Sequence, residues 1–213
     1  MICCVRTFLA SGWWRGRDVA LGYAAVVCTT TLALALVPDA VARKVIFSSS
    51  TNLVNLRSHP PFVLVVSAFV EPSVRELWVV LPMLWALGAL QRWMGRTVVV
   101  ISAGLGHVGA TLAVSTVLAA GIARNRIAPA EQAATDVGIS YGLVAVVGVL
   151  AARLTGVRRR WYISGFTAVF VAAFLLSRSF TDLGHLFAWL LGLALAALVS
   201  RARRLGPEPA GDV

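Results

Sequence analysis

Ser140 and His185 are the two side chains in this chain best suited to react together. A serine hydroxyl becomes a nucleophile when an imidazole within hydrogen-bond reach takes its proton. Both lie in apolar stretches, where a polar side chain is costly and tends to be functional. Ser140 sits in Asp136-Val-Gly-Ile-Ser-Tyr-Gly-Leu-Val-Ala-Val-Val-Gly148, and His185 in Thr181-Asp-Leu-Gly-His-Leu-Phe-Ala-Trp-Leu-Leu-Gly192. Small residues recur at helical spacing in each: Gly138, Gly142 and Ala145 in the first, Gly184, Ala188 and Gly192 in the second. Such strips let membrane helices approach closely. The expectation is that the two helices pack on these strips and bring hydroxyl and imidazole face to face.

Each segment opens on a Thr-Asp pair, Thr135-Asp136 and Thr181-Asp182. The plain reading is helix N-capping. The sharper one is that Asp182 orients the His185 ring from one turn away. Ser140 and His185 each stand four residues past Asp136 and Thr181, roughly 6 Å along a helix. That spacing predicts a shared depth. His107, in Gly104-Leu-Gly-His-Val-Gly109, is a further intramembrane ionisable residue. It is read first as a neutral histidine bonded to a neighbouring helix, placed deeper than Ser140, and second as a substitute hydrogen-bond donor. Tyr141 is read first as a helix-interface residue, and second as a phenol donor to the site.

Of 213 residues, 59% are hydrophobic and 13% charged. Soluble domains carry about 25% charged residues, so the chain is expected to be an all-α polytopic membrane protein. The net charge of +10 is explained by arginines at loop ends, as topology signals and contacts to anionic lipid, rather than by nucleic acid. Cys3, Cys4 and Cys28 fit no metal spacing. No metal or cofactor is called for.

Residues 1–18 read as a basic lead with Trp13 and Trp14 at the interface. Residues 19–200 form the membrane domain, and 201–213 a polar tail. Val19–Val37 is a first spanning run of about 20 residues. It exceeds the roughly 7–15 of a signal peptide, so a retained helix is favoured over cleavage after Ala40-Val-Ala42. Residues 39–60 are interfacial, and Pro61–Val70 is a dipping segment too short to span. Further helices are expected at Val74–Trp93 with a kink at Pro82, Thr97–Gly121, Val137–Leu154, Trp161–Leu176 and Thr181–Ser200. A polar loop fills 122–135. The segments flanking the ends assigned inside hold 12 of the 19 basic residues. The positive-inside rule then places both termini in the cytoplasm of a plasma-membrane protein.

These residues resemble the rhomboid family of intramembrane serine proteases. The family's nucleophile motif is Gly-x-Ser-Gly, and Gly138-Ile-Ser140 matches its first three positions. Its last helix carries a histidine with a glycine seven residues later, as His185 and Gly192 do. The resemblance runs from about Pro61 to Ser200 and implies a six-transmembrane-helix rhomboid-like bundle. It implies His185 as general base to Ser140, acting on transmembrane segments of client proteins. The sequence departs from the pattern in three places. Tyr141 replaces the glycine after the nucleophile. Val144 stands where many members have a tyrosine packed on the histidine. Glu76 and Val80 occupy the positions of a His-x-x-x-Asn pair that holds the oxyanion. An inactive relative that binds or escorts transmembrane helices is therefore the alternative to a protease.

Overall fold

The computed structural model describes residues 15–205. Cys3, Cys4, Trp13, Trp14 and the end of the polar tail lie outside the described residues. The regular structure among those described is all helical, with no strand. In chain order the helices are α1 Asp18–Leu36, α2 Asp39–Ser49, α3 Leu53–Ser58, α4 Pro60–Val66, α5 Val80–Met94, α6 Arg96–Ala123, α7 Ser140–Leu150, α8 Gly156–Ser177 and α9 Phe180–Leu205. Short 3-10 turns extend α4 (Ser67–Phe69), lead into α5 (Val74–Val79) and continue α7 (Ala151–Arg153).

Among the described residues, five helices are long and apolar enough to cross a membrane: α1, α5 with its 3-10 lead, α6, α8 and α9. The sixth expected span is the short α7. It is buried on nearly every side, from Tyr141 to Val146 and again from Gly148 to Leu150. A helix apolar all round belongs inside a protein, and one that faces protein need not match the lipid thickness. The hydrophobic core forms where α1, α5 and α7 meet, around Val27, Met83, Leu87, Val146 and Val149.

The start of α1, the end of α5, the start of α6 and the end of α9 gather at one end of the bundle. There Asp18 accepts a hydrogen bond from Gln91 at 2.7 Å and pairs with Arg96 at 2.8 Å, and the Arg203 guanidinium lies 4.4 Å over the Trp93 ring. This is the arginine-rich end. The opposite end holds α2 to α4 and the starts of α7 and α9.

The expected dipping segment is α4 with its 3-10 tail. Helix α1 ties it inward, with Tyr23 Oη donating to Ala68 O at 2.5 Å and Thr30 Oγ1 to Phe69 O at 2.6 Å. Pro82 stands just past the point where the 3-10 lead Val74–Val79 passes into α5, where its missing N–H interrupts regular helix bonding. One helix expectation needs correction. The helix carrying Ser140 begins at Ser140 rather than Val137. The N–H groups before it are already committed: Asp136 N donates to Ser50 Oγ (2.7 Å) and Gly138 N to Ser67 O (2.9 Å). Gly138 adopts φ +132°, a conformation that favours glycine.

Candidate functional site

The site lies where α7 and α9 start side by side. They run parallel: Tyr141 of α7 covers Gly184 of α9, and a turn or two on, Gly148 meets Gly192. At Gly192 an added Cβ would stand 2.3 Å from Ala145 O, so the backbones nearly touch. The α7 surface toward α9 is thus Tyr141, the Ala145 carbonyl and Gly148, at i, i+4 and i+7, while the Ala145 Cβ meets Gly106 of α6. This corrects the expected strip. Gly142 faces Ala103 of α6, and Gly138 faces Glu71. Gly184 and Gly192 lie in the α7–α9 seam as expected.

Ser140 is the first residue of α7 and half-buried. His185 is one turn into α9. Equal counts from two helix starts therefore do not account for their level. The contact of the neighbouring Tyr141 with His185 does. Among the described residues no hydrogen bond reaches Ser140 Oγ, so serine and imidazole are not joined. The imidazole has other neighbours. Its Nδ1 lies 3.5 Å from Asp182 Oδ1, and its ring meets the Tyr141 ring edge-on, with centroids 5.4 Å apart. Tyr141 thus supplies the aromatic contact that a tyrosine at position 144 gives in the family pattern. Its hydroxyl donates to Asp136 Oδ1 at 3.1 Å.

Neither Thr-Asp pair caps a helix. Asp136 lies in the extended stretch before α7, where its backbone carbonyl accepts from Thr51 N (2.9 Å) and Thr51 Oγ1 (3.0 Å). Burial raises its pKa, against the opposing bonds from Tyr141 and Thr51. Helix α9 is capped by Ser179, whose Oγ accepts from Asp182 N at 3.0 Å. Asp182 Oδ2 in turn accepts from Ser179 Oγ at 2.7 Å and from Ser177 Oγ.

The carboxylate at the start of α7 is not Glu76, which is exposed. It is Glu71, 4% exposed, whose Oε1 accepts the Ile139 N–H at 2.9 Å. Burial pushes its pKa up to about 7. The Ile139 bond opposes that rise, and the neighbouring Glu76 adds to it. Backbone donors at a helix start are where an anion binds, and here one of them is already taken by an acid of the same chain. In sequence Glu71 is only a loop acid before Pro72 and offers no periodic signal.

His107 is level with the start of α7, not deeper as expected. Its Nε2 is 3.0 Å from Ser67 Oγ, at the tip of the dipping segment. Its Nδ1 is buried without a well-formed hydrogen bond, next to the Leu64 carbonyl. A crevice lined by Thr51, His107, Asp136, Gly138, Ser140 and Tyr141 opens here, too narrow for a water molecule. Among the described residues no group of His, Cys, Asp and Glu is arranged to hold a metal.

Compared with known families, residues 17–205 match the family model described as rhomboid-like protein. No curated protein and no solved structure matches the chain.

Proposed function

We propose, since the chain belongs to the rhomboid-like family, that it is a catalytically inactive member that holds or escorts transmembrane helices of other membrane proteins. One observation carries this reading: the Glu71 carboxyl is bonded to the Ile139 N–H, directly before Ser140. In acyl transfer an oxyanion must form beside the nucleophile, and one donor to it is worth about 10²–10³ in rate. An ionised Glu71 spends one such donor and repels that charge. Two further features agree. The Ser140 hydroxyl has no hydrogen bond to His185, and the crevice beside it has no room for the water that deacylation requires. For helix binding, the support is the outer wall α8. None of its residues is buried, so it is the spanning helix with the least packing to lose when a neighbour docks.

A second reading, an active Ser140–His185 protease, is favoured by the Asp182–His185 contact at 3.5 Å. That contact is the kind that fixes a catalytic imidazole. The two readings part on a fluorophosphonate probe applied to the protein in its membrane. The inactive reading expects wild type and Ser140→Ala to remain equally unlabelled, and both to cross-link the same transmembrane clients. Labelling of wild type that disappears in Ser140→Ala establishes the protease instead. The arginine-rich end is read as cytoplasmic by the positive-inside rule, in a plasma-membrane protein with both termini inside. Reporter fusions at each terminus test that placement.

A further inference from the structure

Between α1, α4, α5 and α6 the structure leaves a half-open cleft of about 510 Å³, separated from the Ser140 crevice by His107, which lines both. Its walls are apolar, and Val26 of α1, Val65 of α4 and Val100 of α6 stand exposed along it. Gly22 and Gly104 also line it, with nothing within 4 Å of where a Cβ would stand. Two facing helices thus both leave out a side chain at the same opening. The upper end is closed by the dipping segment and His107. Of the polar groups there, Tyr23 donates to Ala68 O and His107 Nε2 bonds Ser67.

The lower end runs to the arginine-rich end of the bundle. Val19, which lines the cleft, follows Asp18 in sequence, and Val99 and Val100 lie one turn past Arg96. The Asp18–Arg96 pair marks this mouth. Arg15, Arg17 and Arg92 belong to the same end, with Arg17 lying over Gly88 and Arg92 over Gly16. Arg92 and Arg96 thus stand at this end against one aspartate, Asp18, which pairs with Arg96.

We infer that this cleft holds one acyl chain of an anionic glycerophospholipid, drawn from the leaflet at the arginine-rich end, with its headgroup beside Arg96. Size excludes a helix. At about 10–12 Å across and ~5.4 Å per turn, a helix fills the cleft within about one turn. The volume lies within the roughly 300–1,000 Å³ of small-ligand sites. Walls this apolar suit an alkyl chain. The surplus of positive charge at the mouth attracts an anionic headgroup over a zwitterionic one.

The test uses the full-length protein in phosphatidylcholine vesicles carrying a photoactivatable diazirine-acyl lipid, either phosphatidylglycerol or phosphatidylcholine. Adducts are mapped by mass spectrometry. The phosphatidylglycerol probe is expected to mark cleft residues of α1 and α6 in preference to the lipid-facing side of α8. Gly104→Phe and Gly22→Leu, which fill open space, are each expected to lower the cleft adducts severalfold and leave those on α8 unchanged. Arg96→Gln is expected to lower phosphatidylglycerol adducts by about fivefold, the contribution of one arginine near an anionic headgroup, with little change for phosphatidylcholine. Adducts spread evenly over all lipid-facing helices, or insensitive to both glycine variants, overturn the inference. So does equal marking by the two lipids, or displacement of the cleft adduct by an added transmembrane peptide. The unchanged α8 pattern, together with a monodisperse gel-filtration profile, shows that each variant has folded.

Discussion

Helices α7 and α9 begin side by side, yet their starts are held in opposite ways. Helix α9 is capped by its own chain: Ser179 accepts from Asp182 N, and the Asp182 side chain accepts from Ser179 and approaches His185. Helix α7 has no side-chain cap from its own approach. Its first donors go to distant residues, Ile139 N–H to Glu71 and Gly138 N–H to Ser67 O, while Asp136 is bound by Ser50 and Thr51. The position of His185 is thus encoded within a few residues, and that of Ser140 by the connection between α1 and α5. A shift of that connection moves the serine and leaves the imidazole in place.

The largest expected effect comes where the two helices cease to differ. Below their starts they share one seam, and Gly192 stands against Ala145 O and Gly148. Leucine at Gly192 must push backbone away from backbone. Overpacking of this kind costs about 1–3 kcal/mol, and the upper end is expected here because no flexible side chain can yield. The unfolding midpoint in mild detergent measures it. A midpoint within error of wild type shows the seam to be looser than described and removes the common frame on which the two starts are compared.

The next largest effect separates the starts. Glu71→Ala leaves the Ile139 N–H buried without its acceptor, a loss of about 1–3 kcal/mol. Ser179→Ala removes an ordinary helix cap, worth about 1 kcal/mol. Proteolysis or hydrogen exchange along the chain adds the location of each effect. Glu71→Ala is expected to loosen both 136–143 and the dipping segment around Ser67, which lie far apart in sequence. Ser179→Ala is expected to loosen only 177–185. Loosening confined to the mutated neighbourhood in both cases sinks the contrast.

The same contrast explains what the sequence made legible. Hydropathy and arginine placement located the long helices to within a few residues, because lipid imposes length and polarity on each segment separately. The glycine spacing of α9 marked the seam for the same reason: Gly184 and Gly192 act within one helix. On α7 the same spacing selects Gly138, Gly142 and Ala145; Ala145 does reach α9 through its carbonyl, but Gly142 faces α6 and Gly138 faces Glu71, and Tyr141 and Gly148 complete the seam. An extended approach had displaced the helix start, and apolar periodicity carries no record of it. The acid at the α7 start was assigned by motif position to Glu76. The residue that reaches Ile139 is Glu71, in the loop ahead of the 3-10 turn that carries the exposed Glu76. Ser67 left no trace either: a serine in an apolar dip becomes visible as a partner only once His107 is opposite it.

The smallest expected effect tests the α7 start without removing any contact. In the fold the Glu71 carboxyl titrates near 7, raised from 4.5 mainly by burial. The folded protein therefore binds more protons than the unfolded chain between those values. Stability contributed by this group is full below about 4.5, falls as pH rises, and is at its minimum above about 7. Glu71→Gln keeps an oxygen for the Ile139 N–H and cannot ionise. Its unfolding midpoint is expected to vary less between about pH 5 and about pH 8, and to exceed that of wild type at the alkaline end. A wild-type midpoint that climbs with pH across this window contradicts the burial of Glu71 at the helix start. With it goes the claim that α7, unlike α9, depends on a distant carboxyl group to begin.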